Sequence, residues 1–410
     1  MKKFFALLLS LAMVLALVAC GQKEPTPDTP DTPDDTQPKV EYKVAMITDY
    51  GDITDQSFNQ TTYEACKAFA EDNSIEFSYF KPAGDNTADR VAMIEKAVDE
   101  GFNVIVMPGY AFGGAIVEAA PEFPDVKFIA LDVAAGDLLE TAVAKAGEAY
   151  DYTPENWDLN KYVDMSNVYC AVYQEELCGY MAGYAAVKLG YKNLGFLGGM
   201  SVPAVVRYGY GFVQGVDAAA ADLGLTDVKL NYIYGGQFFG DADITAVMDT
   251  WYQGGTEVVF ACGGGIYTSA VDAAKKVNAK VIGVDVDQAG VIAKYAGVDG
   301  MTVTSAMKGL YPATYDTLTD VIVNGNWDKY VGKIATLGLV SGTDPEANYV
   351  QIPMGDGTQW SDSFTQDDYK AMVKDMFDGK ITVSNNTSSD VSAADFATVI
   401  TVDDQGSIKG

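Results

Sequence analysis

The strongest constraint on the fold is an alternation of short apolar runs with amphipathic helical patterns, which begins near residue 42 and repeats along most of the chain. Strands separated by helices predict a parallel sheet with helices on both faces. The predicted strands are 42–48, 76–80, 104–107, 127–131, 168–173, 194–197, 228–234, 258–261, 280–284, 302–306 and 333–339. The predicted helices are 57–72, 88–100, 113–120, 175–189, 208–223, 242–253, 268–277 and 311–323.

The alternation falls into two successive units, and the length of 410 residues exceeds what a single core usually supports. Residues 133–166 are polar and rich in Tyr and Asp, and we predict an inserted surface loop or short helix there. A further strand, a helix and a tail follow the second unit. This order predicts an α/β protein with two doubly wound parallel sheets, one in each lobe.

Residues 1–20 are predicted to be a lipoprotein signal peptide. Lys2 and Lys3 precede the apolar run Phe4–Val18, which is shorter than a typical membrane span. The run ends in Leu17-Val18-Ala19-Cys20, a pattern typical of a bacterial lipobox. We therefore expect Cys20 to carry a diacylglycerol and palmitate, and to anchor the chain at the extracytoplasmic face of a cell membrane.

Residues 21–41 are predicted to be a tether. Their core is Glu24-Pro25-Thr26-Pro27-Asp28-Thr29-Pro30-Asp31-Thr32-Pro33, in which proline and like charge keep the chain extended and solvated. No later stretch of the sequence is long and apolar enough to predict a membrane span.

The charge composition restricts the function. A formal net charge of −30 disfavours nucleic acid and anionic lipid headgroups as partners. The only arginines are Arg90 and Arg207, so we expect a neutral or cationic ligand rather than a phosphate. The chain has no histidine, the commonest acid–base catalyst and metal ligand. We therefore expect neither catalysis nor a bound metal or other cofactor.

The cysteines of the body show no metal-ligand spacing. We interpret Cys66, Cys170, Cys178 and Cys262 as buried small side chains, with a Cys170–Cys178 disulfide as the alternative.

Charged residues stand where predicted strands end, namely Asp49, Asp132, Asp285 and Lys308. Phe58 and Asn59 open the first helix. Because ligands of open α/β sheets bind beyond the carboxyl ends of the strands, these positions predict a cleft lined from both lobes. An Asp at a strand end also commonly forms a turn or caps a helix, so a structural role stays open for each position taken alone.

Six motifs then occur in a family-typical order behind the lipobox. They are Asp55-Gln56-Ser57-Phe58-Asn59-Gln60, Glu175-Glu176-Leu177-Cys178-Gly179-Tyr180-Met181-Ala182-Gly183, Leu197-Gly198-Gly199-Met200, Gly211-Phe212-Val213-Gln214-Gly215-Val216, Ile282-Gly283-Val284-Asp285-Val286-Asp287-Gln288 and Thr304-Ser305-Ala306-Met307-Lys308. On these residues the sequence resembles the basic membrane protein (BMP) family of purine-nucleoside-binding lipoproteins of ABC importers.

The resemblance implies a purine held between two aromatic rings, those of Phe58 and Phe239, with Phe238 as the alternative by one register step. It implies that Asn59 and Asp49 contact the base edge. A base stacked on an aromatic ring contributes ~1–3 kcal/mol.

The resemblance also assigns residues to the sugar. Asp132 and Asp285 correspond to carboxylates near the ribose, whose vicinal hydroxyls donate well to such groups. Lys308 corresponds to the family lysine, and Gly263 to a glycine where backbone approaches the ligand. After Gly263 the family usually has a Thr-Gly step, whereas this chain has Gly264-Gly265-Ile266-Tyr267.

The implied architecture is the type I periplasmic binding fold, in which three crossovers form a hinge. One lobe is expected to comprise 42–170 plus 303–332, and the other 171–302 plus 333–410. The expected partners are a purine nucleoside and the permease and ATPase subunits of an ABC importer, and a monomer is expected. For Arg207 and Tyr110 we favour structural roles.

Two other functions remain open at this point. A sugar or autoinducer receptor of the same fold would also use aromatic platforms and carboxylates, and a long tether suits a surface adhesin or sensory lipoprotein. A nucleoside hydrolase is disfavoured, because the chain has no histidine and no clustered metal ligands near its N-terminus.

Overall fold

A computed structural model describes residues 41–409. The strands are β1 (Lys43–Ile47), β2 (Glu76–Phe80), β3 (Val104–Pro108), β4 (Lys127–Leu131), β5 (Val168–Tyr173), β6 (Asn193–Gly198), β7 (Lys229–Tyr234), β8 (Val258–Cys262), β9 (Lys280–Asp285), β10 (Thr302–Lys308), β11 (Lys333–Leu337), β12 (Val350–Gln351) and β13 (Thr401–Ser407). The helices are α1 (Phe58–Asn73), α2 (Thr87–Asp99), α3 (Gly113–Ala119), α4 (Ala135–Lys145), α5 (Leu159–Tyr162), α6 (Glu175–Lys188), α7 (Pro203–Leu223), α8 (Ala242–Gln253), α9 (Tyr267–Val277), α10 (Ala289–Ala296), α11 (Leu310–Leu318) and α12 (Gln366–Phe377).

The first sheet is wholly parallel, with strand order β11-β5-β4-β3-β1-β2. Its central strands are buried on both faces, as the continuous apolar run of β3 predicts. In β1, Val44 and Met46 belong to one core cluster, whereas Ala45 and Ile47 belong to another. Alternate side chains of one strand therefore fill the cores on the two faces of the sheet.

The second sheet has strand order β12-β10-β9-β8-β6-β7-β13. It is parallel except at one edge, where β12 runs antiparallel to β10. At the opposite edge β13 pairs with β7 in parallel.

Three chain segments pass between the two sheets. They follow β5, β10 and β11, and they are joined to one another by backbone hydrogen bonds. The N–H of Gln174 donates to the Leu337 carbonyl at 3.0 Å, that of Gly309 donates to the Tyr349 carbonyl at 2.7 Å, and that of Tyr349 donates to the Gly338 carbonyl at 3.0 Å. The predicted fold class is confirmed: two doubly wound parallel-sheet lobes joined by three connecting segments.

The strand pairing differs from the expected division of the chain at two places. β10 pairs with β9 in the second sheet, although most of it was expected in the first lobe. β11 pairs with β5 in the first sheet, although it was expected in the second lobe. The expected boundary at residues 170/171 falls inside β5. An apolar run identifies a strand but not its neighbour in a sheet, so the sequence alone could not assign β10 and β11 to a sheet.

Residues 133–166 are more regular than expected. Helix α4 packs its apolar side into the core of the first lobe through Leu138, Leu139, Ala142 and Val143. It lies between β4 and β5 in sequence and so serves as their crossover helix. The interruption predicted here is thus only the segment after α4, which contains a short helical turn and α5.

Two elements were not predicted, α10 and β13. The sequence of β13, Thr-Val-Asp-Asp-Gln-Gly-Ser, is rich in residues that disfavour strands, so its pairing is a tertiary effect. The interpretation of the body cysteines is confirmed, because all four are buried free thiols and no Cys170–Cys178 disulfide forms. The signal peptide, Cys20 and residues 21–40 lie outside the described residues. None of the helices within 41–409 has the length and apolar character needed to cross a membrane.

Candidate functional site

A cavity of about 400 Å³ lies between the two sheets, at the carboxyl ends of their strands. This volume is in the range of small-molecule sites. Both lobes contribute to it, one through residues that follow β1, β3 and β4, and the other through residues that follow β7 and β8 or end β9 and β10. The structure brings all eight predicted contact residues to its wall, together with the alternative ring: Asp49, Phe58, Asn59, Asp132, Phe238, Phe239, Gly263, Asp285 and Lys308.

A buried lysine joins the two lobes at the floor of the cavity. The ammonium nitrogen of Lys308 lies 2.5 Å from a carboxylate oxygen of Asp132, across the cleft. It also lies 3.5 Å from Glu175 and 3.8 Å from Asp285. The same nitrogen sits 4.7 Å from the centre of the Phe58 ring. One cation therefore links three carboxylates and one aromatic wall of the cavity.

Burial and charge act against each other in this cluster. Burial raises the pKa of Asp132 to about 6, and the Lys308 ammonium opposes that rise. Burial also disfavours the charged form of Lys308, yet the carboxylates of Asp132, Asp285 and Glu175 raise its pKa above the ordinary value. Lys308 thus stays protonated, because removing its charge would leave buried carboxylates without a counterion.

Glu175 was not predicted as part of this centre. It is the first residue of α6, is fully buried, and accepts a hydrogen bond from Nε of Arg207 at 2.7 Å. Arg207 itself lines the cavity from the second turn of α7. The signal for Glu175 was present in the sequence, as an acidic residue that opens a helix directly after a buried strand.

The two strand-end carboxylates share an unusual backbone conformation. Asp132 and Asp285 have φ angles of 60° and 64°, in the left-handed region that non-glycine residues seldom adopt. This conformation costs about 1–2 kcal/mol per residue. Hydrogen bonds from the hydroxyls of Ser57 and Tyr208 hold the Asp285 side chain, the latter at 3.3 Å. Ser57 lies between β1 and α1 in the first lobe, so its bond to Asp285 also crosses the cleft.

A second polar group lies at the end of β1. Asp49 accepts hydrogen bonds from the N–H groups of Tyr50 and Gly51, at 2.6 and 2.7 Å, and from the Asn59 side chain at 3.4 Å. Burial raises the pKa of Asp49, and those backbone bonds oppose the rise. The side-chain oxygen of Asn59 is buried and has no hydrogen-bond partner within residues 41–409. That oxygen is a free acceptor at the cavity wall.

Aromatic side chains form the remaining walls. Phe58 is half-buried beside Lys308, whereas Phe239 is 57% exposed. Phe238 is the more enclosed of the two neighbouring rings, because it lies against the backbone of Gly199 and Gly263. A β-carbon at Gly263 would come within 2.7 Å of the Phe238 ring, so glycine is needed there for the ring to approach.

Contacts at the rim also cross the cleft. The hydroxyl of Tyr50 donates to the sulfur of Met200 at 3.3 Å, and that of Tyr110 lies 3.8 Å from the same sulfur. The side-chain amide of Gln288 donates to the Gln56 carbonyl at 3.1 Å. Tyr110 therefore lines the cavity and takes part in packing between the lobes.

The chain was compared with known proteins. The family model described as "Bmp: ABC transporter substrate-binding protein PnrA-like" matches residues 42–345. A Lactococcus lactis subsp. cremoris protein named "ABC transporter nucleoside-binding protein BmpA" is 25% identical over 389 residues, which cover 92% of this chain and 96% of that protein. Basic membrane protein B of Borreliella burgdorferi is 26% identical over 322 residues, or 76% and 83% of the two chains. An uncharacterised lipoprotein of Pyrococcus abyssi is 26% identical over 311 residues, or 72% and 67%.

Solved structures share the fold. ABC transporter solute-binding proteins from Aeropyrum pernix K1 and Conexibacter woesei superpose with TM-scores of 0.60 and 0.58, each at 20% identity. Each match covers 84% of this chain, and the two matches cover 88% and 99% of those chains, respectively.

Proposed function

The chain belongs to the family of PnrA-like ABC transporter substrate-binding proteins, and from the chemistry of its cavity we propose that it binds a purine nucleoside. Like its relatives in this family, it is a substrate-binding protein and not an enzyme. The observation that carries the proposal is the pairing of a carboxylate–lysine floor with aromatic walls in one cavity of about 400 Å³. The name of the Lactococcus lactis relative, a nucleoside-binding protein, supports the same ligand class.

The carboxylate–lysine floor suits a ribose. Asp132 retains a buried carboxylate oxygen that has no hydrogen-bond partner in the described part of the chain. The vicinal hydroxyls of a ribose supply donors to such an oxygen and to Asp285. Lys308 donates in turn to a sugar oxygen, while its charge offsets the acids.

The opposite part of the cavity suits a base. The free side-chain oxygen of Asn59 and the carboxylate of Asp49 are acceptors, and they match N–H groups on the edge of a purine. Phe58 on one lobe and Phe239 on the other are proposed to stack on the two faces of the base, with Phe238 as the alternative to Phe239.

The ligand is proposed to close the two lobes over itself through the three connecting segments. The closed protein would then deliver the nucleoside to the permease and ATPase of an ABC importer. Cys20 is proposed to anchor the protein, as a monomer, to the extracytoplasmic face of the cell membrane through its lipid.

Titration calorimetry on the purified chain tests this proposal. Inosine, guanosine and adenosine are injected separately, and ribose is the control ligand that lacks the base. We expect saturable binding of at least one purine nucleoside and much weaker binding of ribose. Ribose binding without nucleoside binding would instead identify a sugar receptor.

A pair of variants links the binding to the cavity. Asp285→Ala removes a carboxylate of the floor, whereas Asp287→Ala removes an exposed carboxylate that lies two residues further on and outside the cavity. We expect the first change to abolish measurable nucleoside binding and the second to leave it intact. Equal affinity of both variants would contradict this assignment of the site.

A further inference from the structure

A segment far along the chain lies against the loop that carries the aromatic wall. We call residues 235–241, which connect β7 to α8, the aromatic loop, because it contains Phe238 and Phe239. Strand β13 runs beside β7, and the backbone N–H of Ile408 donates to the Tyr234 carbonyl at 2.8 Å. Residues 408 and 409 therefore enter the region where the aromatic loop begins.

Lys409 contacts two side chains of the aromatic loop. Its ammonium donates to the side-chain oxygen of Gln237 at 2.9 Å and forms an ion pair with Asp241. The Gln237 amide donates to Asp241 and to the backbone carbonyl of Phe239, each at 2.9 Å. This network encloses the short stretch that contains both candidate stacking rings.

The backbone of the aromatic loop is shaped for this approach. Gly236 has a φ of +78°, and a β-carbon there would lie 2.7 Å from both the β-carbon and the carbonyl oxygen of Lys409. Only glycine fits that conformation and that distance without displacing one segment. The contact therefore depends on the tertiary placement of β13 and on the local sequence of the loop.

The far end of the loop is held as well. The carbonyl of Phe238 accepts a hydrogen bond from the N–H of Gly265 at 2.9 Å, and Asp241 caps helix α8 by accepting from the N–H of Ile244 at 3.0 Å. Lys409 thus adds a cationic contact to a loop that is also held by the bond from Gln237 to Asp241 and by bonds to backbone groups. The family match ends at residue 345, so Lys409 lies beyond the matched region, whereas its partners Gln237 and Asp241 lie within it.

We propose that Lys409 is a positioning residue that orients the aromatic loop for stacking on the base. The proposal rests on the proposed nucleoside function for its effect on affinity. Lys409 does not line the cavity, so it acts through Gln237 and Asp241 rather than on the ligand. Its side chain is 34% exposed and that of Asp241 is 26% exposed, which moderates the strength of the pair.

The test replaces Lys409 in the full chain. Lys409→Met keeps the length of the side chain but removes the charge, and we expect a rise of roughly 3- to 10-fold in the Kd for the nucleoside that the wild type binds. Lys409→Arg is expected to restore most of the affinity. The matched control is Lys276→Met. It breaks the ion pair between Lys276 on α9 and Asp249 on α8, which are 2.7 Å apart and away from the aromatic loop.

A second variant identifies the partner. Asp241→Asn removes the charge but retains an oxygen that caps α8. We expect it to weaken binding as much as Lys409→Met does, and the double variant to be no weaker than either single variant. Additive losses would show that Lys409 acts by another route and would overturn the proposal.

Hydrogen exchange of the ligand-free protein gives a readout that does not depend on binding. We expect Lys409→Met to speed the exchange of amides in residues 236–241 and to leave those of the central strands unchanged. Unchanged exchange in the loop, or an affinity equal to that of Lys276→Met, would overturn the proposal. If the wild type binds no nucleoside, the proposed function fails, and the exchange of the loop still decides whether Lys409 positions it.

Discussion

At the scale of single residues, two neighbouring phenylalanines compete for one role. Phe239 was predicted as the ring opposite Phe58, with Phe238 one step away in register. Both line the cavity, but Phe239 is 57% exposed and Phe238 packs on Gly199 and Gly263. A pattern of two adjacent aromatics in a loop has no period, so the sequence could not decide which ring faces the ligand.

Separate alanine variants decide between them. Phe58→Ala and Phe239→Ala are each expected to weaken nucleoside binding by about 1–3 kcal/mol, because each loses one stacked ring. Under that assignment Phe238→Ala lowers the stability of the protein more than its affinity, since that ring packs against backbone. Calorimetry together with urea denaturation measures both effects. A large affinity loss only in Phe238→Ala would assign the role to Phe238.

A cavity-lining acid gives the protein a pH-dependent stability. Burial raises the pKa of Asp137 from 3.8 to about 7, while Arg207 opposes the rise and Asp132 and Glu140 reinforce it. The folded state therefore holds a proton that the unfolded chain has lost, and this contribution to stability disappears as the pH rises through about 7.

Replacement of Asp137 by Asn tests that effect. The amide does not titrate, so the stability of the wild type relative to Asp137→Asn should fall between about pH 4 and pH 7, by at most about 1.4 kcal/mol per pH unit, and level off above that range. Urea denaturation at several pH values measures it. Asp243→Asn removes an exposed carboxylate and controls for the loss of one surface charge. A constant difference for Asp137→Asn would contradict the assigned pKa.

At the scale of elements, helices α6 and α7 pack closely against each other, and α7 lines the cavity. Each presents glycines four residues apart: Gly179 and Gly183 on α6, and Gly211 and Gly215 on α7. A β-carbon at Gly211 or Gly215 would come within 2.1 Å of a backbone carbonyl oxygen of α6. This approach helps to position Glu175, the first residue of α6, and Arg207, the fifth residue of α7.

Gly215→Ala should therefore destabilise the protein by about 1–3 kcal/mol, because the added methyl group forces the helices apart. The matched control is Gly290→Ala in α10, where a β-carbon would meet no atom within 4 Å. That change is expected to be neutral or to stabilise by up to ~1 kcal/mol. Urea denaturation measures both, and equal midpoints would exclude close helix packing as the reason for glycine.

The elements also show how far local patterns reach. Most predicted strands and helices of the two lobes are present within a few residues of their expected ends, because burial on both sheet faces leaves a clear apolar run in each strand. The sequence did not predict which sheets β10 and β11 join, how α4 packs or that β13 pairs with β7. Each depends on which neighbour an element meets, and a period of apolar residues carries no such information.

At the scale of the whole molecule, several polar contacts cross the cleft. Lys308 pairs with Asp132, Ser57 with Asp285, and the Gln288 amide with a backbone carbonyl. Three connecting segments carry the covalent link between the lobes. Two separate sheets joined by three segments favour hinge motion between the lobes over bending of either sheet.

We expect nucleoside binding to reduce the radius of gyration of the protein in solution, because the ligand stabilises the lobes in their closed arrangement. Small-angle X-ray scattering with and without a saturating nucleoside measures the change. Ribose at the same concentration is the control for a non-specific effect of solute. A radius of gyration that the nucleoside leaves unchanged would contradict closure on binding.

The sequence by itself determined the α/β class, the order of most elements and the strand-end residues of the cavity wall. It did so because parallel strands place their carboxyl ends along one edge, where Asp49, Asp132, Asp285 and Lys308 were expected to meet. Only the tertiary structure decided the partners of those residues. Lys308 and Asp132 are 176 positions apart and Lys409 and Asp241 are 168 apart, so collapse of the whole chain, and not local periodicity, brings each pair together.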